Sequence, residues 1–363
     1  MTQTDNKAKH ECSKEMHNFL KELPKCEHHV HLEGTLEPDL LFPLAKRNKI
    51  ELPADFPKTP EELHIRYDNF ENLDDFLHFY YIGMGVLITE QDFFDLAWSY
   101  FVKAKNDGVW HAETFFDPQG HTERGIKMET VVNGFNRAAE KAQAELGIST
   151  KLIMCLLKHL PVPNGMETLK AATGFYKQGL IHGLGLDSSE LPFPPKLFTE
   201  CYSYAAENFG EDVGLTAHAG EEGGPEYITQ TLDLLKATRI DHGVNSYKDD
   251  AVMERLAREN VMLTLCPLSN VKLQVVEDVA ELPVMKWLEV GVPFSINSDD
   301  PAYFGGYILD NYVVMHTRFG FDLNTWGKIA KFGVDGSWIS SERKKKIHEK
   351  IDDVVANYKK LIE

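Results

Sequence analysis

The stretch Lys25-Cys26-Glu27-His28-His29-Val30-His31-Leu32-Glu33-Gly34 organises the interpretation of this sequence. In an extended strand, side chains two residues apart point to the same face, so His29 and His31 share a face that His28 does not. Two imidazoles on one face at the end of a strand suit a divalent metal such as zinc. The alternative is a chance histidine cluster on a surface strand, and the rest of the chain must decide between the two.

Short apolar runs alternate with helical stretches after this point. Seven further strands are predicted at 109–116, 151–157, 181–186, 213–217, 239–241, 261–266 and 292–297. The predicted helices between them cover 129–146, 166–177, 196–208, 225–235, 249–259 and 284–289, and helices at 323–332 and 341–362 close the chain. Eight such units favour an α/β fold of the closed (β/α)₈ TIM barrel type over an open doubly wound sheet. No G-x-G-x-x-G follows the first strand, which also argues against a dinucleotide-binding fold.

Residues 21–363 are predicted to form a single domain, preceded by a polar tail with a short helix at 1–20. Helices at 36–49, 72–87 and 90–107 form an insertion of about 75 residues between the first two strands. Three prolines, at 53, 57 and 60, interrupt the insertion. Its position predicts that it covers a site at the end of the first strand.

Composition limits the partners and the compartment. The chain has 363 residues, of which 43% are hydrophobic, and a net charge of −18, so it should repel the phosphate backbone of a nucleic acid. Five scattered cysteines indicate a reducing compartment. The first 17 residues lack an apolar signal segment and no apolar run is long enough to span a membrane. We therefore expect a soluble cytoplasmic protein, with nuclear access and oligomeric state left open.

The carboxyl ends of the predicted strands carry polar side chains, and barrels gather functional groups there. Strand five is followed by His218 and Glu221, strand six ends at His242, and strand eight is followed by Asp299 and Asp300. Each alone has an ordinary explanation, as a core histidine, a charge at a helix N-terminus or a turn. Together, three histidines and one carboxylate from strands one, five and eight can surround a single metal, and a fourth histidine and a second carboxylate remain for acid–base chemistry.

Four segments, 29–34, 216–221, 241–243 and 298–301, resemble the signatures of the adenosine/adenine deaminase family. They follow the family's order and cover the chain from about residue 24 to 338. The resemblance implies one zinc ion per chain, bound by His29, His31, His218 and Asp299. It also implies that Glu221 donates a proton, that His242 activates the attacking water, and that Asp300 contacts the substrate.

Three further segments, 111–122, 185–190 and 301–307, are similar to those members of the family in fungi and bacteria that act on adenine. This likeness implies a purine-salvage hydrolase that converts adenine, a small-molecule substrate, to hypoxanthine and ammonia; conversion of adenosine to inosine is the alternative. Glu33 is expected to crowd the space that ribose needs. Bulky side chains after strands two and eight are expected to fill that space, namely Phe115, Phe116, Tyr303, Phe304 and Tyr307.

Other classes fit the sequence less well. Binuclear amidohydrolases commonly bridge two metals with a lysine on strand four, and residues 181–186 contain none. The cytidine-deaminase zinc site needs P-C-x-x-C after H-x-E, and only the first half is present. A catalytically idle relative that serves as a binding module is disfavoured because the polar groups of the site are intact.

Overall fold

The computed structural model describes residues 10–70, 73–210 and 212–362. Within them, eight parallel strands pair in sequence order and form the wall of a barrel, which confirms the predicted (β/α)₈ fold. The strands are β1 Lys25–Glu27, β2 Val109–Phe116, β3 Ser149–Leu157, β4 Gly183–Asp187, β5 Gly214–Ala219, β6 Arg239–His242, β7 Met262–Leu265 and β8 Phe294–Ile296.

Helices follow each strand and pack around the barrel. They are α1 Lys14–Glu22, α2 Pro38–Asn48, α3 Pro60–Tyr67, α4 Leu73–Met84, α5 Glu90–Asn106, α6 Pro118–Thr122, α7 Met128–Lys141, α8 Val162–Lys177, α9 Thr199–Asn208, α10 Pro225–Leu234, α11 Asp250–Arg258, α12 Pro267–Lys272, α13 Val284–Val290, α14 Pro301–Phe304, α15 Ile308–Phe319, α16 Leu323–Gly336 and α17 Ser341–Ile362. None of the described helices has the length and apolar character needed to cross a membrane.

Several helices were absent from the prediction. Four of them, α3, α6, α12 and α14, begin at a proline in the first helical position, where the missing N–H costs nothing. Pro60, which was predicted to interrupt the chain, is therefore the first residue of helix α3. At the N-terminus, α1 crosses the predicted boundary at residue 20, and residues 1–9 of the predicted tail lie outside the described part of the chain. Residue 72, the predicted start of the helix at 72–87, also lies outside the described part of the chain.

The first strand is shorter than predicted and ends at Glu27, before the histidines. Isolated β-bridges continue its course, from Val30 to Asp299 and from His31 to Phe115. The predicted alternation of faces survives in this segment. His28 points away from its neighbours, and its buried ring nitrogens lie 3.1 Å from Ser295 Oγ and 2.7 Å from Ser337 Oγ.

The N-terminal end of the barrel is closed by a buried ion pair beneath a tryptophan. Arg239 Nη1 lies 2.5 Å from Glu113 Oε2, and the guanidinium stacks 4.0 Å from the ring centroid of Trp338. A Cβ on Gly183 or Gly214, the first residues of β4 and β5, would come within 2.6 Å or 2.2 Å of that indole. Glycine at both positions leaves the space that the Trp338 indole occupies.

Removing the cation from this pair should destabilise the fold strongly. Arg239→Met leaves Glu113 charged and buried without its partner, and such losses cost about 3–5 kcal/mol. Arg137→Met is the matched control, because Arg137 pairs with Glu90 on the surface, with both side chains more than a third exposed, and should cost less than about 1 kcal/mol. Urea unfolding measures both; equal losses would contradict a structural role for the buried pair.

Candidate metal centre and active site

Four candidate metal ligands meet at the C-terminal end of the barrel. His29, His31, His218 and Asp299 each offer one atom, and these atoms lie within 4.8 Å of one another. Asp299 Oδ1 is 3.3 Å from His29 Nε2 and 3.5 Å from His31 Nε2, and the Nε2 atoms of His31 and His218 are 3.3 Å apart. The structure thus brings together all four residues that the sequence predicts as ligands.

This cluster fits a divalent metal. His29 Nε2 is buried and has no hydrogen-bond partner, which is costly for a polar atom unless something binds it. Burial, followed by the proximity of His29, holds the pKa of His218 well below its usual value, so the imidazole is in its neutral, ligating form. Three imidazoles and one carboxylate are a common donor set for such ions.

Two other groups of residues in the described chain could also hold a metal, but both overlap the first. One replaces His31 and His218 with His242 and Cys266, and the other joins His31 to Asp117 and Asp187. Each reuses at least one ligand of the first cluster, so the three candidate groups form one continuous cluster. This agrees with the prediction of one metal per chain, which stays a prediction.

Backbone pairing fixes the ligands in place. Asp299 N–H donates to the His29 carbonyl oxygen, and His31 N–H donates to the Asp299 carbonyl oxygen, both at 3.0 Å. Asp299 and His242 have φ of 62°, a left-handed conformation that costs a non-glycine residue roughly 1–3 kcal/mol. The bends they make at the ends of β8 and β6 turn both side chains toward the centre.

Glu221 and His242 flank the cluster. His242 Nε2 is 3.4 Å from Glu221 Oε2 and 3.8 Å from Asp299 Oδ2, and the Asn270 side-chain nitrogen lies 3.2 Å from His242 Nδ1. Burial, together with the negative charge of Asp299, raises the pKa of Glu221 well above its usual value. Burial lowers the pKa of His242 to about 3. The pair therefore offers a protonated carboxyl beside a neutral imidazole.

Asp300 also lines the pocket and packs against the chain at Gly34. A Cβ on residue 34 would fall 1.9 Å from Asp300 Oδ1, so only glycine leaves that oxygen its place. Asp300 Oδ1 is buried without a partner, and burial followed by the charge of Asp299 raises the pKa of the carboxyl well above normal. A protonated Asp300 can donate a hydrogen bond to a ligand.

The pocket walls differ from the prediction. Helix α4 of the insertion supplies aromatic side chains, Phe76, Tyr80 and Tyr81, and the ends of β2 and β4 supply Asp117 and Asp187. The sequence predicts an insertion over the site, but these residues were not among the predicted site residues. The rule that strand ends carry functional groups would have found both aspartates, because each stands at the end of its strand.

The aromatic residues expected to fill the space for ribose do not line this pocket. Phe115 lies beneath the ligands, 5.0 Å from the rings of His29 and His31, while Tyr303 and Phe304 pack behind Phe76. Phe116 packs on Phe135, and Tyr307 faces Lys103.

Glu33 does not face the pocket either. Its Oε1 lies 2.8 Å from His121 Nε2 and accepts the Asp117 N–H at 3.1 Å. These partners are buried with it, so they hold the carboxylate within the protein. Glu33 is therefore absent from the pocket lining and its Oε1 contacts support the Asp117 loop, while the expectation that it crowds a ribose stays a prediction.

The chain is similar to known proteins along nearly its whole length. The family model described as adenosine deaminase matches residues 24–354. A curated adenine deaminase of Candida albicans is 61% identical, over 97% of this chain and 98% of its own length. The crystal structure of an adenine deaminase from Arthrobacter aurescens superposes with a TM-score of 0.87 at 41% identity, covering 92% of this chain and 99% of that one. An amidohydrolase from Burkholderia ambifaria, solved with bound Zn, shares the fold at 22% identity, with a TM-score of 0.84 and coverage of 98% and 97%.

Removal of one candidate ligand should empty the centre. His218→Ala leaves three donors around an open position, and we expect less than about a tenth of a metal ion per purified chain. His348→Ala is the control, since this histidine lies on α17 and pairs with Asp335 at the surface. Elemental analysis of both variants checks the expectation; full metal content in His218→Ala would show that the ion is bound elsewhere.

Proposed function

Because the chain belongs to the adenosine deaminase family, we propose that it hydrolyses adenine to hypoxanthine and ammonia. The observation that carries this proposal is the similarity, along nearly the whole chain, to proteins named as adenine deaminases. The buried cluster of imidazoles and carboxylates at the pocket floor supports the same chemistry.

We propose zinc as the metal, one ion per chain, held by His29, His31, His218 and Asp299. When bound, zinc supplies a Lewis acid that lowers the pKa of water toward neutrality. The bound Zn of the Burkholderia ambifaria relative supports the choice of ion, as does the preference of zinc for imidazole with carboxylate.

Glu221 is proposed as the proton donor to ring nitrogen N1. Attack of water at C6 places electron density on N1, which needs a proton as the tetrahedral carbon forms. Burial raises the pKa of the Glu221 carboxyl well above its usual value, which favours the protonated form, and its position in the pocket lining makes it accessible to a ligand. The proton that the attacking water gives up must then reach the departing amine, which leaves as ammonia.

His242 and Asp299 are proposed to hold the attacking water and to accept its proton. His242 is neutral, which is required of a base, and its Nε2 faces both Glu221 and Asp299. Asp300, protonated and otherwise unpartnered at Oδ1, is proposed to donate to N7 of the purine. These contacts orient the six-membered ring with C6 toward the metal centre.

A small substrate suits this pocket, which helix α4 partly covers. Helix α4 lays Phe76, Tyr80 and Tyr81 over the site, and Tyr80 donates to Asp117 Oδ2 at 3.2 Å, which ties this cover to the end of β2. A free base fits beneath such a cover more readily than a nucleoside does. We further propose a cytoplasmic location without nucleic-acid or membrane partners, supported by five free cysteines and the charge of −18.

Loss of the proposed acid should slow turnover without emptying the site. Glu221→Gln keeps the shape of the side chain but cannot donate an acidic proton, so we expect kcat on adenine to fall about a hundredfold or more with metal content unchanged. Glu226→Gln, an exposed neighbour at the start of α10, is the matched control. Near-parent turnover by Glu221→Gln would show that the proton comes from another group.

Substrate choice follows from the covered pocket. Adenine should be deaminated with a kcat/KM about a hundredfold or more above that for adenosine, equivalent to roughly 2.7 kcal/mol of transition-state discrimination. An ultraviolet assay with both compounds on one preparation measures the ratio. Similar constants, or a preference for adenosine, would overturn adenine as the substrate and leave the deamination chemistry standing.

A further inference from the structure

Asp241 is a buried carboxylate that the proposed reaction does not use. It precedes His242 on β6, and the β5–β6 register sets it beside His218. Its Oδ1 accepts hydrogen bonds from the hydroxyls of Thr216 at 2.8 Å and Thr264 at 3.0 Å. Its Oδ2 lies 3.4 Å from His218 Nδ1. A fully buried anion at this position needs a reason, since burial of a charge is costly.

Thr264 connects the same carboxylate to a second metal ligand. This residue lies on β7, and its Oγ1 is 2.8 Å from His29 Nδ1. A hydroxyl has one hydrogen, and that of Thr264 is donated to Asp241. The oxygen must then accept from His29, so the proton of His29 is on Nδ1 and the lone pair of Nε2 faces the metal centre.

His218 is oriented in the same sense. Its Nδ1 lies 3.4 Å from Asp241 Oδ2, an electrostatic approach longer than a good hydrogen bond, and because a carboxylate oxygen can only accept, this neighbour favours the tautomer with the proton on Nδ1. Its Nε2 then faces the centre, 3.3 Å from His31 Nε2. His31 has a carboxylate of its own, because its Nδ1 lies 3.4 Å from Asp187 Oδ2. Asp241 thus reaches two of the three candidate histidine ligands, His218 directly and His29 through Thr264.

We propose that Asp241 is a positioning residue that fixes the tautomer and ring orientation of two metal-ligating histidines, His218 directly and His29 through the hydroxyl of Thr264. This inference rests on the proposed metal function and adds residues to which the reaction gives no role. Groups that orient histidine ligands in this way typically raise metal affinity 10- to 100-fold. The polar chain that runs from His218 to Asp241 and through Thr264 to His29 is therefore part of the metal centre.

The chain offers a matched pair of threonines that separates this role from general packing. Thr264→Val removes the link to His29, and we expect zinc affinity to fall about tenfold. Thr216→Val removes a hydrogen bond to the same Asp241 oxygen, but the Thr216 hydroxyl faces the Arg239 carbonyl oxygen at 3.3 Å on its other side, and not a histidine. Its zinc affinity should stay within about twofold of the parent.

Two further variants complete the set. Asp241→Asn has one acceptor oxygen where the carboxylate has two, so either His218 or the threonines face an amide N–H, and we expect a 10- to 100-fold loss of zinc affinity. Thr264→Ser restores the hydroxyl and should restore affinity to within about twofold of the parent.

Competition between each metal-free variant and a chromophoric chelator measures zinc affinity, and thermal unfolding of the same samples reports on the fold. Equal losses in Thr264→Val and Thr216→Val, or parent affinity in Asp241→Asn, would overturn this inference alone. A parent protein that binds no zinc would overturn the proposed metal and the inference with it. If Asp241→Asn does not fold, the threonine pair still decides, because loss confined to Thr264→Val supports the relay.

Discussion

The structure depends on one contact, the backbone pairing of the His29–His31 segment with Asp299. The two hydrogen bonds that join these segments close the barrel between its first and last strands. They also bring two imidazoles from the start of the chain to a carboxylate some 270 positions later. The same two hydrogen bonds thus close the barrel and bring the candidate ligands together, and a bound metal would stabilise both.

Electrostatic interactions explain why so many polar groups can be buried at the C-terminal end of the barrel. Asp187, Glu221, Asp241, Asp299 and Asp300 are gathered around imidazoles at one end of the barrel. Their roles differ because their surroundings differ: burial and the charge of Asp299 raise the pKa of Glu221 and of Asp300, whereas Asp241 accepts hydrogen bonds from two threonine hydroxyls and lies beside His218. A divalent cation at the centre would offset the remaining negative charge, so the metal and the carboxylates require each other.

The barrel and the positions of the ligands could be predicted because both rest on local patterns. Apolar runs mark strands, and functional groups follow them at the carboxyl end, so His218 and Asp299 were found at their strand ends. The pocket cover could not be predicted in the same way. Whether Tyr303 or Tyr80 faces the substrate depends on how α4 packs over the barrel, and the position of Glu33 depends on its partner His121, which lies on helix α6. Neither packing is encoded in spacing along the chain.

X-ray absorption at the zinc edge of the purified protein tests the central claim most directly, because two overlapping ligand sets are present. The cluster of His29, His31, His218 and Asp299 contains no sulfur, whereas the alternative set includes Cys266. We predict a first shell of nitrogen and oxygen alone at about 2.0–2.2 Å, with the multiple scattering of three imidazoles. A sulfur scatterer at about 2.3 Å, or the absence of zinc from active protein, would contradict the proposed centre.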